Sequence, residues 1–507
     1  MKLFKNKSAI ALLGLAILTT SCSNDIVDTA PYNNVGETTA YSSPALIQLA
    51  VNGVYNAAQI GLYNGAGRGY VWGAAFTQQN EARGEDIVNT QLFYQVTYEG
   101  TYDPTTANNV YYWVDGYRLI NRANLVIDGV SKAAADGTVT EAVANKAIGE
   151  MLFLRAITHY EFVKHYSKPY HLDNGASMGV PYRVLGNNNI AAIEEASKLD
   201  RGTVANVYEK ALADLDRAES LLTGPKSITT VSKGAAIAYK MRIYASKRDW
   251  NKVLSEFDKI KSDYTLAATQ NAVFGPTNSY NNTESIFSIG HSADTNPGVN
   301  AALSNMFKQR AMLAISPILW RNKYWLEDDK RRNLTTAISG VKYTDKYTDT
   351  TNFTDASPIL RFADMVLLAA EANARLDKKT EALALLNSVR NRSLADPSTQ
   401  AYTDATFADK KALVEAILAE RRIELLCEGS RWQDIHRLVN DDLVPTHGIP
   451  GKVPNGVPSA DNYTLGTEYS GPLSAAIPHT DKRFVWPLPF IETSANPVLA
   501  AQQNPGY

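Results

Sequence analysis

Apolar residues recur at spacings of three and four along most of the chain, the signature of helices that each bury one face. Residues 44–60 carry such a stripe through Leu46, Leu49, Val54 and Ala57. A second helix holds Trp113, Tyr117, Ile120 and Leu125, and a third covers residues 142–166. Helices resume over 203–222, with Thr203 placed as an N-cap. Residues 232–246 and 249–261 form a helical hairpin around a short turn. Residues 360–393 form another, 34 residues long, with Ala369, Ala370, Ala374, Ala382, Leu386 and Val389 at its contact. That length and that use of small residues match a tetratricopeptide unit.

Three stretches break the pattern. Residues 61–108 are irregular and rich in glycine and tyrosine, and residues 167–200 form a proline-containing loop region. Residues 265–357 are polar and asparagine-rich around one short strand, 284–289. The last 67 residues, 441–507, hold ten of the 21 prolines, so they cannot be regular helix and must wrap over something already folded. The predicted fold is therefore mostly α: tetratricopeptide-like hairpins with long irregular loops and a few short strands.

Length and composition agree with a large globular chain: 507 residues, 45% apolar, 50 basic against 52 acidic residues. No stretch is strongly basic, which argues against a nucleic-acid partner. The N-terminus reads as a processing signal. Lys2, Lys5 and Lys7 precede the apolar run 9–18, which is too short to span a bilayer, and Thr19-Thr20-Ser21-Cys22 follows as a lipoprotein cleavage box. Residues 1–21 are then the signal peptide, Cys22 the lipidation site, and residues 22–43 a polar tether. With Cys22 acylated, the other cysteine, Cys427, has no disulfide partner and reads as a small buried hydrophobe.

Candidate chemistry is sparse. The seven histidines form no H-E-x-x-H pattern and there is no C-x-x-C set, so no metal site is expected. No phosphate loop or dinucleotide fingerprint occurs, and no cofactor is expected. Gly175-Ala176-Ser177-Met178-Gly179 matches G-x-S-x-G, but it lacks the strand before and the helix after that a nucleophile elbow requires. The dense charge of residues 420–435 admits two readings. Glu420 and Glu424 lie one turn apart, and such carboxylates can serve as general acid and base. Their neighbours Arg421, Arg422 and Arg431 would instead keep them ionised, which favours an Arg–Glu network holding helices and the tail in register. Glu420, Arg421, Glu424 and Arg431 are assigned to that network, and no enzyme activity is expected. Tyrosine is over-supplied, with 27 beside 7 tryptophans. Rings in the irregular stretches either pack the loops down or offer flat platforms for sugars or extended peptides. Trp72, Tyr98, Tyr102, Tyr280 and Trp320 are the candidate ligand contacts on the second reading.

The segment Glu420-Arg421-Arg422-Ile423-Glu424-Leu425-Leu426-Cys427-Glu428-Gly429-Ser430-Arg431-Trp432-Gln433-Asp434 resembles a signature of SusD/RagB lipoproteins. Further matches run in the family's order: the cleavage box, Val51-Asn52-Gly53-Val54-Tyr55, Asn121-Arg122-Ala123-Asn124, and Phe153-Leu154-Arg155-Ala156. They continue through residues 359–364 and 385–392, and end at Trp486-Pro487-Leu488-Pro489-Phe490 and Gln503-Asn504-Pro505-Gly506-Tyr507. The resemblance implies a helical region over 44–265 and a C-terminal region over 266–507. It implies a lipid-anchored protein on the outer face of the outer membrane, capping a SusC-like TonB-dependent barrel and capturing glycan for import. Peptide capture, as in RagB-like members, and a scaffold that binds only protein are the alternatives.

Overall fold

The computed structural model describes residues 37–61 and 67–507; the expected signal peptide, Cys22 and most of the expected tether lie outside the described residues. The helices are α1 (Pro44–Gln59), α2 (Ala74–Ala82), α3 (Gln95–Glu99), α4 (Ala107–Ala135), α5 (Glu141–Tyr166), α6 (Ile190–Ser197), α7 (Val204–Leu221), α8 (Lys233–Ser246), α9 (Trp250–Ile260), α10 (Phe362–Arg375), α11 (Lys379–Arg390), α12 (Lys410–Glu424) and α13 (Arg431–Arg437). Side-chain caps start several of them. Ser43 accepts from Leu46 N at 3.3 Å ahead of Pro44, Thr203 from Asn206 N at 3.1 Å, and Asp409 from Ala412 N at 2.8 Å.

Packing follows sequence order. α1 lies on α4, α4 on α5, α5 on α7, α7 on α8, α8 on α9, α9 on α10, and α10 on both α11 and α12. This run of packed neighbours is the predicted mostly helical, tetratricopeptide-like architecture. Both hairpins form, as α8/α9 and α10/α11. Two loop assignments need correction. The region 167–200 contains α6, whose first turn is capped by Asn189 accepting from Ala192 N at 3.0 Å. The tether is structured at its C-terminal end: residues 37–40 are helical, and the Tyr41 ring lies where a Cβ on Gly129 of α4 would meet it at 2.1 Å.

Strands are short and paired in twos. β1 (Ile87–Asn89) pairs antiparallel with β3 (Leu313–Ile315), β2 (Ser285–Ile289) with β6 (Ser357–Arg361), β4 (Thr335–Ile338) with β5 (Val341–Thr344), and β7 (Gly448–Ile449) with β8 (Ile477–Pro478). β1, β3 and β5 belong to a loop lobe with its own apolar core, whereas β2 and β6 pack into the helical core and β7 and β8 into a small cluster with Trp432 and Phe484. One core runs through the helices, including Phe153, Tyr239, Leu367 and Ile417. A second gathers Val88, Tyr98, Phe307, Leu313, Trp320 and Tyr463. α12 and the turn after it bridge them: Leu413, Val414 and Ile417 belong to the first, Ile423, Leu426 and Cys427 to the second. The charged signature therefore sits where the two cores meet. The tail runs back across both lobes, and its Trp486 and Leu488 enter the helical core.

Candidate functional site

The predicted ligand contacts are mostly interior. Trp72 is 1% exposed, wedged 4.7 Å from Phe76 and 6.2 Å from Tyr239, with its Nε1 donating to Thr158 Oγ1 at 2.9 Å. Tyr98 donates its hydroxyl to Val453 O at 2.6 Å, Tyr102 to Arg483 O, and the Trp320 indole to Tyr463 O at 3.0 Å. All three are buried. Their irregular context suggested exposure, but the tail covers them: each ring fills a core while its polar tip holds a backbone carbonyl of residues 441–507. The expectation of open ring faces is thus corrected for Trp72, Tyr98, Tyr102 and Trp320. Tyr280 alone of the five stays half-buried, lining a surface cleft.

The charged stretch forms a hub. β6 ends at Arg361 opposite Ser285, so strand pairing delivers Glu284 and Arg361 together to the end of α12. There Glu424 receives Arg361 at 2.9 Å, Arg392 at 2.6 Å and Arg331 at 3.1 Å. Glu420 pairs with Arg331 and, at 3.2 Å, with Arg390. Arg421 holds Asp364 at 2.7 Å and Asp434 at 3.1 Å, and Arg431 holds Glu85 from two of its nitrogens. Burial pushes the Glu424 carboxyl upward, yet Arg392, Arg361 and Arg331 outweigh it and hold the group well below its ordinary value. Glu420 and Glu424 are 1% and 0% exposed, so neither offers a proton or a lone pair to solvent, and the acid–base reading loses its geometry. The expected grip on the tail is also corrected. These four side chains bind α10, α11, β6, α13 and residues 85–86 and 331, all upstream of residue 441.

One region open to solvent is a rim built from loops. β1 exits at Thr90, whose N and Oγ1 bond Met312 O at 3.0 Å and Ala311 O at 2.6 Å. The next residues turn outward. Leu92 is 79% exposed, and Phe93 stands edge-on to the buried Tyr94 at 4.8 Å. Tyr94 is pegged from below, with its hydroxyl on Gln78 at 2.6 Å and Gln78 in turn on Ala301 O at 2.5 Å. From the other side the Arg68 guanidinium lies 5.1 Å over the Phe93 ring and reaches Tyr70 Oη at 3.4 Å. Burial pushes the Tyr70 phenol up, so it stays a neutral donor, to Asn108 at 3.0 Å. A π-helical turn, Asn305–Gln309, ends at Arg310, which bonds Asn300 at 2.7 Å while its carbonyl accepts from Gln91 at 3.2 Å. Arg68, Arg310, Gln91 and Asn300 thus belong to the linked loops that also carry exposed Leu92 and Val299, the latter 52% exposed. Arg68 and Phe93 were missed in the sequence. The available signal was a bare Leu-Phe pair leaving a short strand in an otherwise polar turn. Among the described residues no group of three or more His, Cys, Asp or Glu is placed to hold a metal.

Comparison with known proteins gives one direction. A family model described as the SusD family matches residues 320–507, and one described as starch-binding associating with outer membrane matches residues 26–245. SusD-like protein P38 of Formosa agariphila is 22% identical over the full length of both chains. A SusD superfamily protein from Bacteroides fragilis superposes with a TM-score of 0.77 at 24% identity, over 90% of this chain and 99% of that one. A SusD-like carbohydrate binding protein from Bacteroides vulgatus gives 0.70 at 21% identity, over 90% and 97%.

Proposed function

Because the chain belongs to the SusD family, we propose that it is a surface-exposed outer-membrane lipoprotein that binds an oligosaccharide or polysaccharide nutrient at the Arg68–Phe93 rim. It passes that ligand to a SusC-like TonB-dependent barrel and does no chemistry on it. The lipid on Cys22 is the anchor; among the described residues no helix is long and apolar enough to cross a membrane. The observation that carries the reading is the rim itself, whose Arg68, Gln91, Leu92 and Phe93 lie within the segment matched by the starch-binding family model. Exposed apolar surface on the linked loops that carry Arg68, Arg310, Gln91 and Asn300 suits a sugar ring: the ring's C–H face meets the apolar atoms, and its hydroxyls meet amides and guanidiniums. A guanidinium donates in a fixed fork, so it orients hydroxyl pairs better than an ammonium would.

A glycan and peptide array probed with the soluble form starting at residue 23 tests this. Retention on a glycan, lowered about tenfold by Arg68→Ala with an unchanged melting temperature, is the expected result; one lost contact to a charged donor is worth about 1.5–3 kcal/mol. Retention on peptides alone would replace the glycan by a peptide. Retention on neither would leave a scaffold that binds only protein.

A further inference from the structure

A second opening lies away from the rim. It is a cleft of about 520 Å³ between the loop leading to α8, the chain leaving α9, and the turn into β2. Tyr280 and Tyr264 line it, with Lys226, Thr229, Asn281 and Thr283 around the mouth. The Tyr280 ring is fixed: its Oη accepts from His291 N at 2.7 Å and donates to Thr354 O at 2.8 Å. Gly290 lets the wall close, since a Cβ there would stand 3.1 Å from Tyr280 Cε1 and 3.2 Å from Thr229 Cγ2. Lys226 reaches across the Tyr264 ring at 5.0 Å and donates to the carbonyl of Asp263. Lys226, Asn281 and Thr283 are exposed.

We propose that this cleft is a second saccharide subsite, engaged by the same polymer chain that the rim holds. The proposal rests on the saccharide-binding reading of the rim. The chemistry of the cleft narrows its occupant. It holds one cation, already engaged and set beside Asp263, which is too little for a phosphate or sulfate. Its surface of hydroxyls and amides is too polar for an apolar ligand. A peptide cannot add as a strand, because β2 pairs with β6 on one side, while on the other Ser288 N donates to Ile228 O at 2.7 Å and Thr265 N to Thr283 O at 3.1 Å. The half-buried Tyr280 ring, with hydroxyl and amide groups at its rim, suits a neutral sugar; Tyr264, 7% exposed, forms the wall behind Lys226.

One segment joins the two places. Residue 291 is held at the cleft by Tyr280, residue 300 at the rim by Arg310, and Gln59 grips the segment from beneath at Gly290 O (2.8 Å) and Thr295 O (2.9 Å). Ten residues span at most about 35 Å. A long chain reaches both places and gains from the second contact as an intramolecular event; a short oligosaccharide occupies one.

The test uses affinity electrophoresis through gels cast with amylopectin, laminarin, xylan or galactomannan. Short oligosaccharides cut from the retained polymer are then titrated by calorimetry. Lys226→Ala/Asn281→Ala, at exposed positions, lowers polymer affinity about tenfold. It leaves oligosaccharide affinity within about twofold, because the oligosaccharide occupies the rim alone. Thr283→Trp, which fills the cleft from its mouth, does the same, and either change added to Arg68→Ala removes the residual polymer retention. Polymer affinity unchanged in both cleft variants, with wild-type protein retained, overturns this inference and leaves the rim standing. Wild-type protein retained by none of the gels, and binding no glycan on the array, overturns both.

Discussion

Around Glu424 the loop lobe is joined to the helices by charge; beneath the tail it is joined by rings. At the first place the side chains of Arg331, Arg361, Arg392, Glu284, Glu420 and Glu424 are all less than a tenth exposed and are linked by ion pairs. At the second, Tyr98, Tyr102 and Trp320 each bury a ring and spend one hydrogen bond on the tail's backbone. Charge needs every partner present, because a single unpaired ion in a buried site costs more than the pair contributed. Rings divide the work: apolar contact supplies most of the stabilisation and the polar tip sets register. The hub should therefore fail abruptly and the ring seam by degrees.

The largest effect is expected from Arg361→Ala. It strips Glu284, Glu424 and Glu428 of a shared guanidinium, while Arg392 and Lys346 compensate only in part. The expected loss is about 3–5 kcal/mol, read from urea unfolding. Arg361→Lys should recover little of it, since a compact ammonium cannot bridge three carboxylates as a planar fork does. A loss below about 1 kcal/mol would mean that the hub behaves like surface ion pairs and that the contrast with the seam is false.

Acid should separate the two regions next. For Asp434 burial raises the carboxyl's pKa, but Arg421 and Arg437 outweigh it and carry the group far below its ordinary value; Glu424, Asp364 and Glu371 are likewise lowered. Groups depressed in the folded state contribute stability above their unfolded values, near 4, and lose it as pH falls through the folded ones. Each unit of depression is worth about 1.4 kcal/mol, so unfolding free energy should drop steeply below about pH 4.5. In the seam the titrating group is Lys452, which donates to Ala82 O and Tyr98 O, both at 2.8 Å. Burial, and then Arg83, lower it to about 7. The slope has the same sign as that of the carboxylates but falls in a different window: between about pH 7 and its unfolded value near 10.4 the folded protein holds fewer protons, and stability rises with pH. Urea midpoints from pH 3 to 10 should show an acid limb that Arg361→Ala flattens and an alkaline rise that Lys452→Met removes. An acid limb unchanged by Arg361→Ala would detach it from the hub.

The local pattern carried the helices but not their partners. Hairpins α8/α9 and α10/α11 were legible because i, i+3 and i+4 contacts lie within the segment itself. α6 was legible in principle, since Asn189 caps Ile190-Ala191-Ala192-Ile193, yet the surrounding prolines masked it. The rings, not the charges, took the grip on the tail, because the tail's partners are remote in sequence. Tyr98 meets Val453 and Trp320 meets Tyr463, in a tail whose wrapping was predictable but whose landing place was not. The irregular stretches looked exposed because they lack periodicity, and periodicity reports only burial of regular elements. The rim was hidden for the complementary reason. Arg68 and Phe93 are 25 positions apart and become one surface only when β1 pairs with β3 and Tyr94 locks onto Gln78.

The smallest effect, and the one that most sharpens the contrast, is expected from Tyr98→Phe. The ring keeps its place in the second core and only the hydroxyl is lost, leaving Val453 O as a buried acceptor without its donor. That costs about 1–3 kcal/mol, less than the loss of a hub arginine and less than Trp72→Ala, which empties a full core position at about 3–5 kcal/mol. The effect should also be local. The Lys452 carbonyl contacts and Trp486 N on His165 O, at 2.7 Å, hold the tail on either side of Val453. Limited proteolysis should therefore speed up around residues 449–456 before the helices lose protection. Glycan retention should not change, because Tyr98 is 3% exposed and directs its hydroxyl into the tail. Lost retention with unchanged unfolding would return Tyr98 to the ligand surface and collapse the distinction between the rings that fasten and the rim that binds.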